Sequence, residues 1–220
     1  MNAARTLLIL MALMPFSASN LFAVEYDLVI ANGRVIDPET SFDQIAYVGI
    51  NDGSISAVSE QPLRGTKIID AAGLVVAPGF IDVHSHTPTL LGQQVNLLDG
   101  ITTQLDLEAG SFPVTFYGEH FRAGAQINYG SSVGHWAVRT KVIEGRSMPY
   151  IFAGKEVLEM NGPTWLQTAT AAQIEQMRLL LNQGLDQGGL GIGVLLDYMT
   201  EAVSDAELRM LFEVASAREV

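Results

Sequence analysis

The sequence predicts an α/β protein: a small β unit followed by the first half of a parallel (β/α)8 barrel. Three observations carry that reading. Ahead of Pro78 the chain reads as short apolar strands separated by turn residues. Beyond Pro78, strand-like segments alternate with helix-like ones, the pattern of parallel βαβ units. A complete barrel takes about 250 residues, whereas this chain of 220 shows four barrel strands and stops inside a helical pattern, "FEVASAREV". The expectation is therefore an amino-terminal part of a longer protein.

The elements follow in chain order. Arg5, an apolar run over 7–16 and the small residues Ser17, Ala18 and Ser19 have the layout of a secretory signal peptide. Cleavage after Ala23, with Ala18 or Ser19 as alternative sites, assigns 1–23 to that signal, and an uncleaved anchor is the other reading. The run is too short to cross a bilayer comfortably. The expected location is periplasmic or secreted, with no membrane partner after cleavage.

Residues 24–75 form the β unit, written as "YDLVIANGRVID", "AYVGINDGSISAVSE" and "TKIID". Asn32-Gly33 and Asp52-Gly53 sit between apolar runs, the strongest short-range signal for a hairpin turn. Residues 76–220 form the barrel part, with strands expected at 79–84, 102–107, 127–133 and 190–196. Thr170 with Gln173, and Ser204 with Glu207, have capping-box spacing. The first precedes Ile174, Met177, Leu181 and Leu185 at helical intervals, and the second precedes Leu208, Leu211 and Phe212. Both stripes are expected to be core.

Composition narrows the function. A hydrophobic content of 48% with 21 Gly and 8 Pro fits a folded, turn-rich protein. A net charge of -12 argues against nucleic acid and anionic membrane as partners, since both reward clustered Lys and Arg. It leaves a small-molecule substrate open. With no Cys there is no disulfide framework, thiol nucleophile or thiolate ligand, and lipid modification at the amino terminus is not expected.

The chemistry concentrates at His84 and His86, in "VVAPGFIDVHSH". Side chains on a strand alternate faces, so two His separated only by Ser85 point the same way and form a ready pair of imidazole ligands for a divalent metal. Two satisfied polar residues at a sheet end are the other reading. Asp106 and Glu108, in "GITTQLDLEAG", share a face by the same period, at the carboxyl end of the next strand. A carboxylate there can complete a metal shell; Glu108 is the favoured ligand and Asp106 the alternate, against a solvated loop carboxylate.

Three further residues are substrate-binding candidates. His135 follows the third strand and reads as a support residue, a substrate contact or a buried structural His. Arg139 can pair a substrate carboxylate bidentately, although a surface salt bridge is the commoner fate of an Arg. Tyr198 lies where a fourth strand would open into the barrel mouth. His120 reads as a surface residue of a helix.

These motifs resemble the amidohydrolase superfamily and, within it, the D-aminoacylase group. The carriers are "DLVIANGRVIDPET", "LVVAPGFIDVHSH", "DGITTQLDLEAG", "INYGSSVGHWAVR" and "GGLGIGVLLDYMTEAVSDAEL", in family order from Asp27 to Leu208. The acidic "LDLEAG" run is similar to the N-acyl-D-glutamate deacylase branch. The resemblance implies a β-sandwich segment fused to a metal-dependent barrel, one or two zinc ions, and His84 and His86 as ligands. The second strand departs from the family pattern, because many D-aminoacylases carry a Cys there. Glu108 takes that place by neighbourhood rather than identity. The family's later His ligands and catalytic Asp would lie beyond Val220. The implied reaction is hydrolysis of the amide of an N-acyl-D-amino acid. The alternatives are a cyclic amidase of hydantoinase or dihydroorotase type, or a catalytically incomplete chain. Oligomeric state is not readable.

Overall fold

The structure is a computed structural model that describes residues 25–119, 121–151 and 160–220. The expected signal segment, 1–23, and His120 lie outside the described residues. The chain divides into two compact units, after Pro78.

The first unit is one mixed sheet in the order β3-β2-β1-β4, with β5 also paired to β1. Strand β1 (Glu25–Asp37) runs antiparallel to β2 (Phe42–Asn51), which turns back into β3 (Ser54–Ser59). Strands β4 (Arg64–Asp70) and β5 (Val75–Val76) lie parallel to β1. The two Asn/Asp-Gly signals behave differently. Asp52 and Gly53 close the β2–β3 hairpin with φ of 50° and 72°, as a two-residue turn that matches strand twist requires. Asn32-Gly33 makes no turn. It is a bulge inside β1, where Asn32 takes φ 64° and the register with β2 shifts. The reason is local bonding: Asn32 donates from Nδ2 to Asp70 Oδ1 at 2.9 Å and accepts from the Tyr47 hydroxyl at 2.8 Å, tying neighbouring strands across the bulge. The chain reverses instead over 38–41, where Asp37 pairs with Phe42. Val35, Ala46 and Val48 form this unit's core.

The second unit is built on a parallel sheet, β6-β7-β8-β9. Strand β6 (Phe80–Asp82) leads through α1 (Leu90–Leu98) to β7 (Ile101–Ser111). After α2 (Thr115–Glu119), β8 (Asn128–Gly134) passes directly into α3 (His135–Glu144). Helices α4 (Pro163–Leu166) and α5 (Ala171–Asp186) precede β9 (Ile192–Gly193), and α6 (Leu196–Met199) and α7 (Asp205–Ala217) complete the described unit. Two strands are shorter than the sequence suggests. β6 ends at Asp82, before the His pair, and β9 is two residues long, because Leu196 already starts α6.

Val133, Trp136, Val138, Met177, Leu181, Met210 and Val214 interlock the sheet with α3, α5 and α7. Burying an aliphatic side chain of this size contributes about 1.5–3 kcal/mol, so the helical stripes read from the sequence supply much of the core. Phe212 is the exception: it is 69% exposed, one step around α7 from buried Leu211. Helix α5 starts with the full capping box, Thr170 Oγ1 accepting from Gln173 N and the Gln173 side chain accepting from Thr170 N. Helix α7 keeps only half of one. Ser204 Oγ accepts from Glu207 N, but the Glu207 carboxylate turns inward.

Candidate metal centre

Past Asp82 the chain continues alongside β7 without full strand pairing. Ser85 N donates to Leu105 O at 3.0 Å, Leu107 N donates to Val83 O at 3.3 Å, and His84 bridges Asp106. This short ladder keeps the alternation of an extended chain, so His84 and His86 reach the same side. There they meet Glu108. Its Oε2 lies 3.1 Å from His84 Nε2 and 3.0 Å from His86 Nε2. The two imidazoles stand edge-on, with centroids 4.8 Å apart. One donor atom from each of the three residues falls within 4.8 Å of the others. Two imidazole nitrogens and a carboxylate are a common ligand set for a catalytic zinc, which keeps a fourth position for water or substrate. The site opens outward, since 61% of the His84 side chain and 37% of Glu108 are exposed.

Asp106 is fully buried behind this cluster. Its Oδ2 sits 2.9 Å from His86 Nδ1, and its Oδ1 accepts from Ala109 N at 3.1 Å and Gly110 N at 3.0 Å. The turn it holds is tightly enclosed. Gly110 has φ 65°, and a Cβ there would stand 2.5 Å from Ser132 Oγ, so both backbone conformation and space require glycine. Ser132 Oγ donates to Leu107 O at 3.0 Å, and the Trp136 indole donates to Ala109 O at 2.9 Å. The hydrogen bond to Asp106 raises the His86 imidazole above its ordinary range, against the effect of burial. Burial pushes the Tyr117 phenol up to about 12, and burial followed by the Asp106 charge raises Tyr150 as well.

The substrate-binding candidates settle elsewhere. His135 and Arg139 have no exposed side-chain surface. Both converge on Glu207: His135 Nε2 lies 2.7 Å from Oε1, and Arg139 Nη1 bonds both carboxylate oxygens. Arg139 also donates to the carbonyls of Thr164 at 2.9 Å and Gln167 at 2.6 Å. Each of the three guanidinium nitrogens thus donates to the protein. Arg139 is neither a surface ion pair nor open to a substrate carboxylate, and His135 is a buried structural residue joining α3 to α7. Burial lowers the His135 imidazole below its usual range. Burial pushes Glu207 up, but the bonds from His135 and Arg139 outweigh it and hold the carboxyl low. Tyr198, on α6, is 53% exposed and sets its ring edge against Trp165; it makes none of the contacts that join His84, His86 and Glu108.

Three participants escaped the sequence reading. Glu207 occupies the third position of a helix after Ser204, where Glu reads as a cap. Trp136 supports the Glu108 strand through one hydrogen bond and Ser132 through two, and no spacing rule announces them. The adjacency of His135 and Arg139 at helical spacing, i and i+4 on one face, was the available signal for a shared buried partner.

Known proteins sharpen the picture. Residues 67–149 match the amidohydrolase family. The dihydroorotase of Streptococcus pneumoniae is 50% identical over 60 residues, 27% of this chain and 14% of that protein. Among solved structures, an N-acyl-D-glutamate deacylase from Bordetella bronchiseptica, complexed with zinc and a phosphonate mimic of the tetrahedral intermediate, superposes with a TM-score of 0.66. It is 26% identical and covers 89% of this chain and 44% of its own. A D-aminoacylase described as having a binuclear metal centre gives a TM-score of 0.70 at 24% identity, covering 88% of this chain and 44% of its own. The chain thus spans less than half the length of these relatives.

Proposed function

We propose that this protein, an amidohydrolase-family relative across residues 67–149, takes part in hydrolysing the amide bond of N-acyl-D-amino acids, N-acyl-D-glutamate among them, at a divalent-metal centre. The observation that carries the reading is the convergence of His84, His86 and Glu108 on one point, in a site open to solvent. The residues fit a zinc ion by donor type and by closeness, with both Nε2 atoms and a carboxylate oxygen facing the same spot. A divalent ion in such a centre polarises an acyl carbonyl and lowers the pKa of water. The protein's own contribution is to hold the three donors together: the 83–85 ladder sets the His pair, and the buried Asp106 turn sets the strand that carries Glu108. The choice of substrate is supported by the N-acyl-D-glutamate deacylase and D-aminoacylase folds. Export beyond the inner membrane belongs to the same reading and rests on residues 1–23 alone.

The local identity to a dihydroorotase favours a second reading, a cyclic amidase. One experiment separates them. The protein, produced with zinc and freed of excess metal, is offered N-acetyl-D-glutamate, N-acetyl-L-glutamate and a dihydropyrimidine or hydantoin ring, with amine or ring-opened product measured. Selective release from the D-amide supports the first reading, and ring opening alone supports the second. Bound zinc with every substrate left intact overturns both. Replacing His84 or His86 with Ala is expected to abolish zinc retention and any turnover together.

A further inference from the structure

Away from the metal centre the chain holds two Asn-Gly pairs, Asn32-Gly33 and Asn161-Gly162. This dipeptide has a chemistry of its own. With no Cβ on the glycine to shield it, the glycine backbone nitrogen can attack the side-chain carbonyl carbon of the asparagine. A five-membered succinimide forms and the side-chain nitrogen leaves as ammonia. Water then opens the ring, at the side-chain carbonyl to give aspartate or at the backbone carbonyl to give isoaspartate. One water enters and one ammonia departs, so no oxidant, reductant or further reactant is needed. We propose that the fold separates the two pairs: Asn161 is a site of spontaneous deamidation, and Asn32, with the same glycine after it, is protected.

Ring closure at Asn32 requires its side-chain carbon to swing onto the Gly33 nitrogen. The swing breaks two bonds at once, Nδ2 to Asp70 at 2.9 Å and the Tyr47 hydroxyl to Oδ1 at 2.8 Å. The backbone on either side is tied as well, since Ala71 N donates to Ala31 O at 2.8 Å and Arg34 N donates to Leu74 O at 3.0 Å. Gly33 is buried, and a Cβ there would stand 2.5 Å from Val76 Cγ2. Strand β1 has hydrogen-bonded neighbours on both sides. The reaction at Asn32 therefore waits for the sheet of the first unit to open, an event near the costly end of the range of local unfolding.

Asn161 carries none of these ties. It is exposed, in a turn, and among the described residues no hydrogen bond holds its amide. Gly162 takes part through its carbonyl, which accepts from Trp165 N at 2.9 Å and Leu166 N at 3.2 Å at the start of α4. Its nitrogen is left for the attack, and only the turn has to move. Conversion adds one negative charge to a chain of net charge -12, and isoaspartate also adds one backbone carbon just before α4. The two Asp-Gly pairs, 52–53 and 99–100, would close the same ring only from a carboxyl group, which ionises to a much poorer electrophile than an amide.

The inference is independent of the metal reading, and its test needs neither metal nor substrate. The protein is aged at neutral pH and body temperature, folded in buffer and, in parallel, unfolded in guanidinium. Mass spectrometry of the peptides carrying residues 32 and 161, with electron-transfer fragmentation to tell isoaspartate from aspartate, follows both sites. In guanidinium the two are expected to lose their amides at similar rates. In the folded protein, loss at Asn161 is expected to stay within about tenfold of its unfolded rate, whereas loss at Asn32 slows by at least about 100-fold. Asn161→Gln is expected to remove most of the acidic species that ion-exchange chromatography resolves in aged protein, with the unfolding midpoint of fresh protein in place. Equal loss at the two sites in the folded protein overturns the proposal, as does faster loss at Asn32 or protection of Asn161 as strong as that of Asn32. An Asn161→Gln protein that ages to the same acidic species overturns it too. Should that variant not fold, the folded and unfolded rates of the wild type decide alone.

Discussion

Glu207 shows how much one side chain can carry when it is fully buried. It faces an imidazole and a guanidinium, and all three side chains are inaccessible to solvent. Removing one partner of such a pair leaves the other charge buried and uncompensated, which costs about 3–5 kcal/mol. Glu207→Gln is therefore expected to lower unfolding free energy by about that amount, while Glu201→Gln, exposed on the same stretch of chain, stays within about 0.5 kcal/mol. Chemical denaturation of the two variants checks this, and a Glu207→Gln loss below about 1 kcal/mol would contradict the buried pairing. The sequence exposed one of these residue-level facts and hid the other. Period two in an extended chain was enough to bring His84 and His86 to one side and to send Asp106 and Glu108 after them. What it could not supply was the division of labour between the two carboxylates, because burial depends on β8 and α3 packing behind β7. Nor did it reveal that Arg139 and His135 face Glu207, a partner about seventy positions away.

At the level of elements, local chemistry was legible where it competed with nothing else. Thr170 and Gln173 form both bonds of a capping box and sit on the surface, so no tertiary partner draws either away. Thr170→Ala is expected to cost about 1 kcal/mol, seen as a lower midpoint in thermal or urea unfolding, and Gln173→Ala should remove less because the Thr170 bond survives. Ser204→Ala is expected to cost a similar amount through its one bond to the Glu207 amide. A Glu207 variant, by contrast, should lose far more than a cap is worth, which is how the two uses of an identical Ser-x-x-Glu spacing are told apart. The same competition explains Asn32-Gly33. Asn-Gly accepts positive φ, and the sequence offers that as a hairpin, but Tyr47 and Asp70 hold the Asn side chain from both neighbouring strands and the positive φ becomes a bulge. Asp52-Gly53, with no such claims on it, turns as expected. Strand ends were least legible, since β6 and β9 stop where tertiary pairing stops rather than where the apolar run does.

Across the whole molecule, acidity acts through two opposing effects, and the buried network makes their separation possible. The chain carries a net charge of -12, so lowering the pH first relieves self-repulsion and favours the compact state. The Glu207 cluster works in the other direction. Its carboxyl is held below the ordinary value of 4.5 in the folded protein, so the stability it adds is fully present above 4.5 and is lost as the pH falls through the depressed folded value. His135 has the same sign. Its imidazole is lowered from 6.5 by burial, so the unfolded chain takes up a proton first, and stability begins to fall below about 6.5. A profile of the wild type alone would mix these losses with the general relief of repulsion. The difference between the wild type and Glu207→Gln removes the general effect, because distant charges contribute equally to both and add independently. That difference is expected to be level above about pH 6.5 and to shrink below about 4.5, as the wild-type carboxyl takes up the proton that the variant never needed; any change between the two reports His135, whose imidazole Glu207 raises against burial. Urea midpoints collected across that range measure it. A difference that stays level well below pH 4.5 would mean that Glu207 is not held ionised by its two partners, and the assignment of the cluster as the charged tie between α3 and α7 would fall with it.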